Sequence, residues 1–78
     1  MTEQEVIQGV IDIVRNVSAE EELTVETTID DIKIDSLDCI EVILETEDYF
    51  DISIQDDDAD KMKSIGDLVK HVVTQVCH

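Results

Sequence analysis

The sequence predicts an all-α chain: a small four-helix bundle with three long helices, one short third helix and a long first loop. Three observations point there. Apolar residues recur at three- and four-residue spacings in three separate stretches, the period of an amphipathic helix. A capping residue, Thr2, Asp35 or Ser64, stands at the head of each stretch. Strand-like alternation is confined to the four residues Asp51-Ile52-Ser53-Ile54, too few to support a sheet without a partner strand.

Thr2 followed by Glu5 has the spacing of a capping box, and Val6, Ile7, Val10, Ile11, Val14 and Val17 form the first apolar stripe. The first helix is expected over residues 3 to 16. From Ser18 to Ile34 the pattern breaks. Ser18 and Glu21 are spaced to cap a short turn, while the β-branched Thr24, Val25, Thr27 and Thr28 disfavour a continuous helix. The segment reads as a long loop tied down by Leu23, Ile29 and Ile32, and a connection that long is more often functional than accidental.

Asp35 caps the second helix, which is expected to run to Tyr49 or Phe50 with Leu37, Ile40, Ile43, Leu44 and Phe50 as its apolar positions. Asp38, Glu41, Glu45 and Asp48 are available to its solvent face. An extended connector follows over 51–54. The carboxylates of Asp56 to Asp60 then suit the first turn of a short third helix, where the positive end of the helix dipole favours them. That helix is expected to end near Lys63. Ser64 and Asp67 open the last helix, striped by Ile65, Leu68, Val69, Val72, Val73 and Val76.

Folding 78 residues buries only about 60–65% of the unfolded surface, enough for one modest core, so residues 1–78 are expected to form a single domain. Tyr49 and Phe50 are the only aromatics, which leaves the core to aliphatic side chains and makes stability marginal. Five Lys and Arg against 21 Asp and Glu give a formal charge of −16, which repels phosphate backbones and anionic head groups. Nucleic acid and membrane insertion are therefore not expected. The amino terminus carries no basic segment and no apolar run approaches the ~20 residues that span a bilayer, so the expected location is the cytoplasm. Cys39 and Cys77 have neither metal nor redox spacing and read as free thiols.

Asp35-Ser36-Leu37 alone is a common kind of helix start. The larger arrangement is more specific: a long loop delivers a serine to the head of an acidic helix that continues Asp38, Glu41, Glu45, Glu47, Asp48. Here the chain resembles the acyl carrier protein family, whose phosphopantetheine site reads Asp-Ser-Leu at the start of its second helix. Asp38 and Glu41 also match, Phe50-Asp51 and Ile54 fit the segment closing that helix, and the likeness covers essentially the whole chain.

The resemblance implies a 4'-phosphopantetheine arm, derived from coenzyme A, attached covalently to Ser36, with Asp35 as helix cap and recognition residue for the phosphopantetheinyl transferase. It implies that Leu37, Asp38, Glu41, Leu44, Glu47, Asp48 and Met62 meet partner enzymes, although by spacing alone Leu44 and Met62 fit a core role equally well. Those partners are acyl-transferring, ketoacyl synthase or acyl-activating enzymes with basic docking patches. It further implies acyl chains as cargo, sheltered between the helices, a monomer, and no catalysis or metal of the chain's own. A carrier needs an exposed hydroxyl on a rigid frame with no nearby base to hydrolyse its cargo, and neither His71 nor His78 is close to Ser36 in sequence.

The chain departs from the family in places. Lys33 and Ile34 stand where glycine and a small residue are common, Gln55 replaces a common proline, and Glu45 and Thr46 occupy positions usually more apolar. The last pair implies a smaller or wetter interior and a specialised carrier, with fatty acyl cargo ahead of polyketide or amino-acid cargo. Two other classes remain open. Asp56, Asp58, Asp60 and Asp67 have calcium-loop spacing, though Lys61 takes the glycine position and Asp67 replaces glutamate. An acidic adaptor that makes no use of Ser36 also fits the charge.

Overall fold

The computed structural model describes residues 2–20, 22–32 and 34–76. The expectations placed on Glu21, Lys33, Cys77 and His78 lie outside the described residues. In chain order the helices are α1 (Glu3–Ser18), α2 (Ile29–Ile32), α3 (Ser36–Phe50), α4 (Asp56–Asp60) and α5 (Ile65–Val76). The four predicted helices are α1, α3, α4 and α5. The structure adds α2, a single turn inside the long first loop.

α1 begins as its capping box requires: Glu5 N–H donates to Thr2 Oγ1 at 3.2 Å and Thr2 N–H to Glu5 Oε1 at 3.0 Å. It runs two residues beyond the expected end and stops at Ala19, which is left-handed (φ 63°) and donates its N–H to Arg15 O at 2.8 Å. Val6, Val10, Ile13 and Val14 are buried, and α1 packs against both α3 and α5.

On α3 the buried line is Val42, Thr46 and Phe50, four residues apart. This corrects the expected apolar face. Leu37, Ile40 and Leu44 are exposed, because two positions along a helix turn through about 200° and Leu44 therefore points away from Val42. Thr46 is fully buried, yet its hydroxyl donates to Val42 O at 2.7 Å, and among the described residues no buried side-chain polar atom lacks a partner. Thr46 therefore needs no water to satisfy its hydroxyl, and Glu45 is exposed.

Leu23 and Ile32 anchor the first loop in the core, and Ile29 packs partly buried against it. The turn α2 carries its own box, Asp31 N–H on Thr28 Oγ1 at 3.2 Å and Thr28 N–H on Asp31 Oδ2 at 3.4 Å. The loop is also laced to the head of α5 through Ile29 N–H on Lys63 O (2.9 Å), Ile65 N–H on Thr27 O (2.9 Å) and Gly66 N–H on Val25 O (2.8 Å). A Cβ at Gly66 would lie 2.7 Å from the Val25 carbonyl oxygen, a backbone atom that moves only with the whole loop. Gly66→Ala is expected to destabilise the fold by about 2 kcal/mol, as core overpacking does, measured by urea unfolding.

α4 ends at Asp60, earlier than expected, with Lys61 as its cap. Ser64 caps α5 and Asp67, in its first turn, answers it: Asp67 N–H donates to Ser64 Oγ at 3.2 Å, while Asp67 Oδ2 accepts from Lys63 N–H at 2.9 Å and Ser64 N–H at 3.2 Å. Three of the four acids with calcium-loop spacing thus lie on α4 and the fourth, Asp67, in the first turn of α5, and among the described residues no three metal-binding side chains converge.

The Lys63 N–H bond, helped by Ser64 and Lys70, holds the Asp67 carboxyl below its usual range. A carboxyl lowered in the folded state contributes stability that is complete above the unfolded value of about 4 and is lost as pH falls through the folded one. The parent should therefore melt higher than Asp67→Ala at pH 7, and the gap should close below about pH 4. Thermal melts of both proteins across that range check this.

Candidate functional site

Asp35 ends the first loop in extended backbone (φ −88°, ψ −179°), and its carboxylate accepts Asp38 N–H at 2.9 Å. Its carbonyl accepts Cys39 N–H at 3.1 Å. Ser36 is therefore the first residue of α3, and the Ser36 and Leu37 amides have no acceptor within the helix. The Ser36 side chain is exposed.

Behind Ser36 opens a cleft of about 750 Å³, within the range of small-molecule sites. Ser36 stands at its edge. Cys39, Val42, Ile43 and Glu47 line it from α3, Ile54, Ala59 and Met62 from the connector and the α4 region, and Val14, Ile65 and Leu68 from α1 and α5. Apart from its few carboxylates the wall is mainly aliphatic. No histidine is among the described residues that line it, so the Ser36 hydroxyl has no imidazole base there. His71 lies on α5, with its Nε2 2.8 Å from Gln75 Nε2.

The electrostatics at the head of α3 are one-sided. Burial, followed by the charges of Asp35, Asp38 and Asp30, pushes the Cys39 thiol up. Cys39, half-buried and free, is thereby kept protonated and is a poor nucleophile beside Ser36.

The expected partner-facing residues divide into two groups. Leu37, Glu41, Leu44 and Asp48 share one outward face of α3, where Leu37 is 75% and Leu44 58% exposed. Ile40, also exposed, extends this apolar row. Asp38 is half-buried at its flank. Glu47 and Met62 are half-buried and line the cleft, which Ile40 and Leu44 also border from the outward row: Glu47 Oε2 accepts Ile54 N–H at 2.9 Å, and Met62 packs on the core. No local pattern brings Val42, Ile54 and Leu68 together at the cleft: Val42 falls outside the expected apolar positions of its helix, Ile54 stands in the connector, and Leu68 belongs to the last apolar stripe.

These features fit a phosphopantetheine arm. An exposed hydroxyl stands at a helix start whose free amides and dipole favour an anion, and an apolar cleft lies directly behind it. Comparison with known proteins agrees. The family model for the phosphopantetheine attachment site matches residues 4–72. The chain is 34% identical over 79 residues to the acyl carrier protein of Exiguobacterium sibiricum, covering 97% of this chain and 100% of that protein. It is 35% identical over 75 residues to the meromycolate extension acyl carrier protein of Mycobacterium tuberculosis, of which it spans 65%. The solved structure of a candidate acyl carrier protein from Mycobacterium tuberculosis superposes with a TM-score of 0.85 at 28% identity, over 90% of this chain and 97% of that one.

The small helical fold and the serine-headed helix are those of a carrier protein. The chain belongs to the acyl carrier protein family, and its cofactor is phosphopantetheine.

Proposed function

We propose that Ser36 carries the phosphopantetheine arm and that the cleft behind it shelters a fatty acyl chain between deliveries to biosynthetic enzymes. The observation that carries this reading is the exposed Ser36 at the mouth of an aliphatic cleft, with no histidine among the described residues that line it. When attached, the arm supplies a terminal thiol that holds the acyl group as a thioester. The chain's own residues do the rest: Asp35 fixes the helix head, the Ser36 and Leu37 amides receive the phosphodiester, and the aliphatic wall excludes water from the cargo.

The chain is non-catalytic in this reading, a cytoplasmic monomer with one domain over 1–78. None of the described helices is long and apolar enough to cross a membrane. The outward face of Leu37, Glu41, Leu44 and Asp48 docks basic partners, the transferase and acyl-handling synthases among them. The test is to load Ser36 with an octanoyl arm from octanoyl-coenzyme A and record isotope-filtered NMR. Contacts from the acyl methylenes to Val42, Ile54 and Leu68 are expected. A loaded protein whose acyl chain shows none of these contacts contradicts the sheltering.

A further inference from the structure

One peptide group in the connector between α3 and α4 is held at both ends by side chains. Ile54 N–H donates to Glu47 Oε2 at 2.9 Å, from α3. Ser53 O, on the same peptide plane, accepts from Gln75 Nε2 at 3.0 Å, from α5. Gln75 Nε2 also lies 2.8 Å from His71 Nε2, so its second hydrogen is used as well and the amide is oriented. A peptide group is planar, so bonds on its opposite edges fix its rotation and with it the direction of the following side chain. That side chain is Ile54, 7% exposed and part of the cleft wall.

Around this clamp the connector has few other ties. Asp51 turns left-handed (φ 55°), Ile52 N–H closes the end of α3 on Glu47 O at 3.0 Å, and Gln55 heads α4 without a side-chain cap bond. We propose that Glu47 and Gln75 are positioning residues: by clamping the Ser53–Ile54 peptide they hold Ile54 as a fixed wall and so limit the length of acyl chain the cleft accepts. This rests on the cleft being the cargo site. Glu47 then acts through its oxygen acceptor as well as its charge.

The two roles separate by substitution. Glu47→Gln removes the charge and keeps an oxygen to accept from Ile54, whereas Glu47→Ala removes both. Gln75→Ala opens the opposite edge without touching α3. The experiment measures Ile54 amide exchange in the holo-proteins, and acyl contacts to the cleft across a series from hexanoyl to palmitoyl. In Glu47→Ala and Gln75→Ala, exchange at Ile54 should accelerate roughly tenfold or more, and contacts should extend to longer chains than in the parent. Glu47→Gln should restore both readouts to parent values, an outcome that a loss of charge or of general stability would not produce. Parent-like exchange and chain-length profiles in both alanine variants, beside a parent that shows acyl contacts, overturn this inference alone. A loaded parent without acyl contacts removes the cleft reading and the inference together.

Discussion

Replacing Phe50 with alanine is expected to lower the thermal midpoint by roughly 15–30 °C, leaving much of the protein unfolded at physiological temperature. The ring is 7% exposed, at the end of the buried line of α3, and meets Tyr49 edge-on at 4.7 Å between centroids. α1 approaches both rings so closely that a Cβ at Gly9 would lie 2.9 Å from the tip of Phe50 and 3.0 Å from Tyr49. Removing a buried phenylalanine costs about 3–5 kcal/mol through lost transfer and the cavity left behind. A domain this small has about 5–15 kcal/mol in total, and here −16 of formal charge works against it. Phe50→Leu, which keeps most of the volume, should cost under about 1.5 kcal/mol. Circular dichroism melts of the three proteins decide the matter. Equal melting of Phe50→Ala and the parent would mean that the α1–α3 contact is not where the stability lies.

The second large effect concerns association. Glu41→Lys combined with Asp48→Lys should slow association with a phosphopantetheinyl transferase roughly tenfold or more at low salt, and by much less in high salt. Both acids are exposed on the outward face of α3, beside Leu37 and Leu44, so their field reaches an approaching basic patch. Exposed charges act on the encounter rate rather than on the fold. The melting temperature should not fall, since the substitutions reduce net negative charge. Stopped-flow association rates over a salt series give the answer. A loss that persists undiminished at high salt would assign these residues to direct contacts instead of steering.

The parts of the fold legible in the sequence were those with local causes. The caps at Thr2, Asp35 and Ser64 act over three residues, so sequence spacing alone reveals them, and each is present. The phase of α3 was not legible. Its apolar residues Leu37, Ile40 and Leu44 face out, while a threonine sits in the core with its hydroxyl returned to its own helix. A pattern that equates apolar with buried fails where the surface itself is apolar.

The turn α2 is hidden in the sequence although Thr28 and Asp31 carry a capping spacing, because the neighbouring β-branched residues argue against helix. The lacing of residues 25–29 onto the head of α5 joins distant backbone groups, which no side-chain pattern encodes. At the site, Ser36 and Asp35 were readable from the motif, and the outward acids from their sign. In the sequence Glu47 is one more acid of α3. Its bond to Ile54, seven residues on, exists only once the connector folds back.

The central claim, that Ser36 bears the arm, is tested most directly by intact-protein mass spectrometry after incubation with coenzyme A, magnesium and a broad-specificity phosphopantetheinyl transferase, beside a Ser36→Ala variant. The parent is predicted to gain the mass of one phosphopantetheine and the variant none. A parent that stays unmodified while a control carrier is converted, or a variant that gains the same mass, would contradict it.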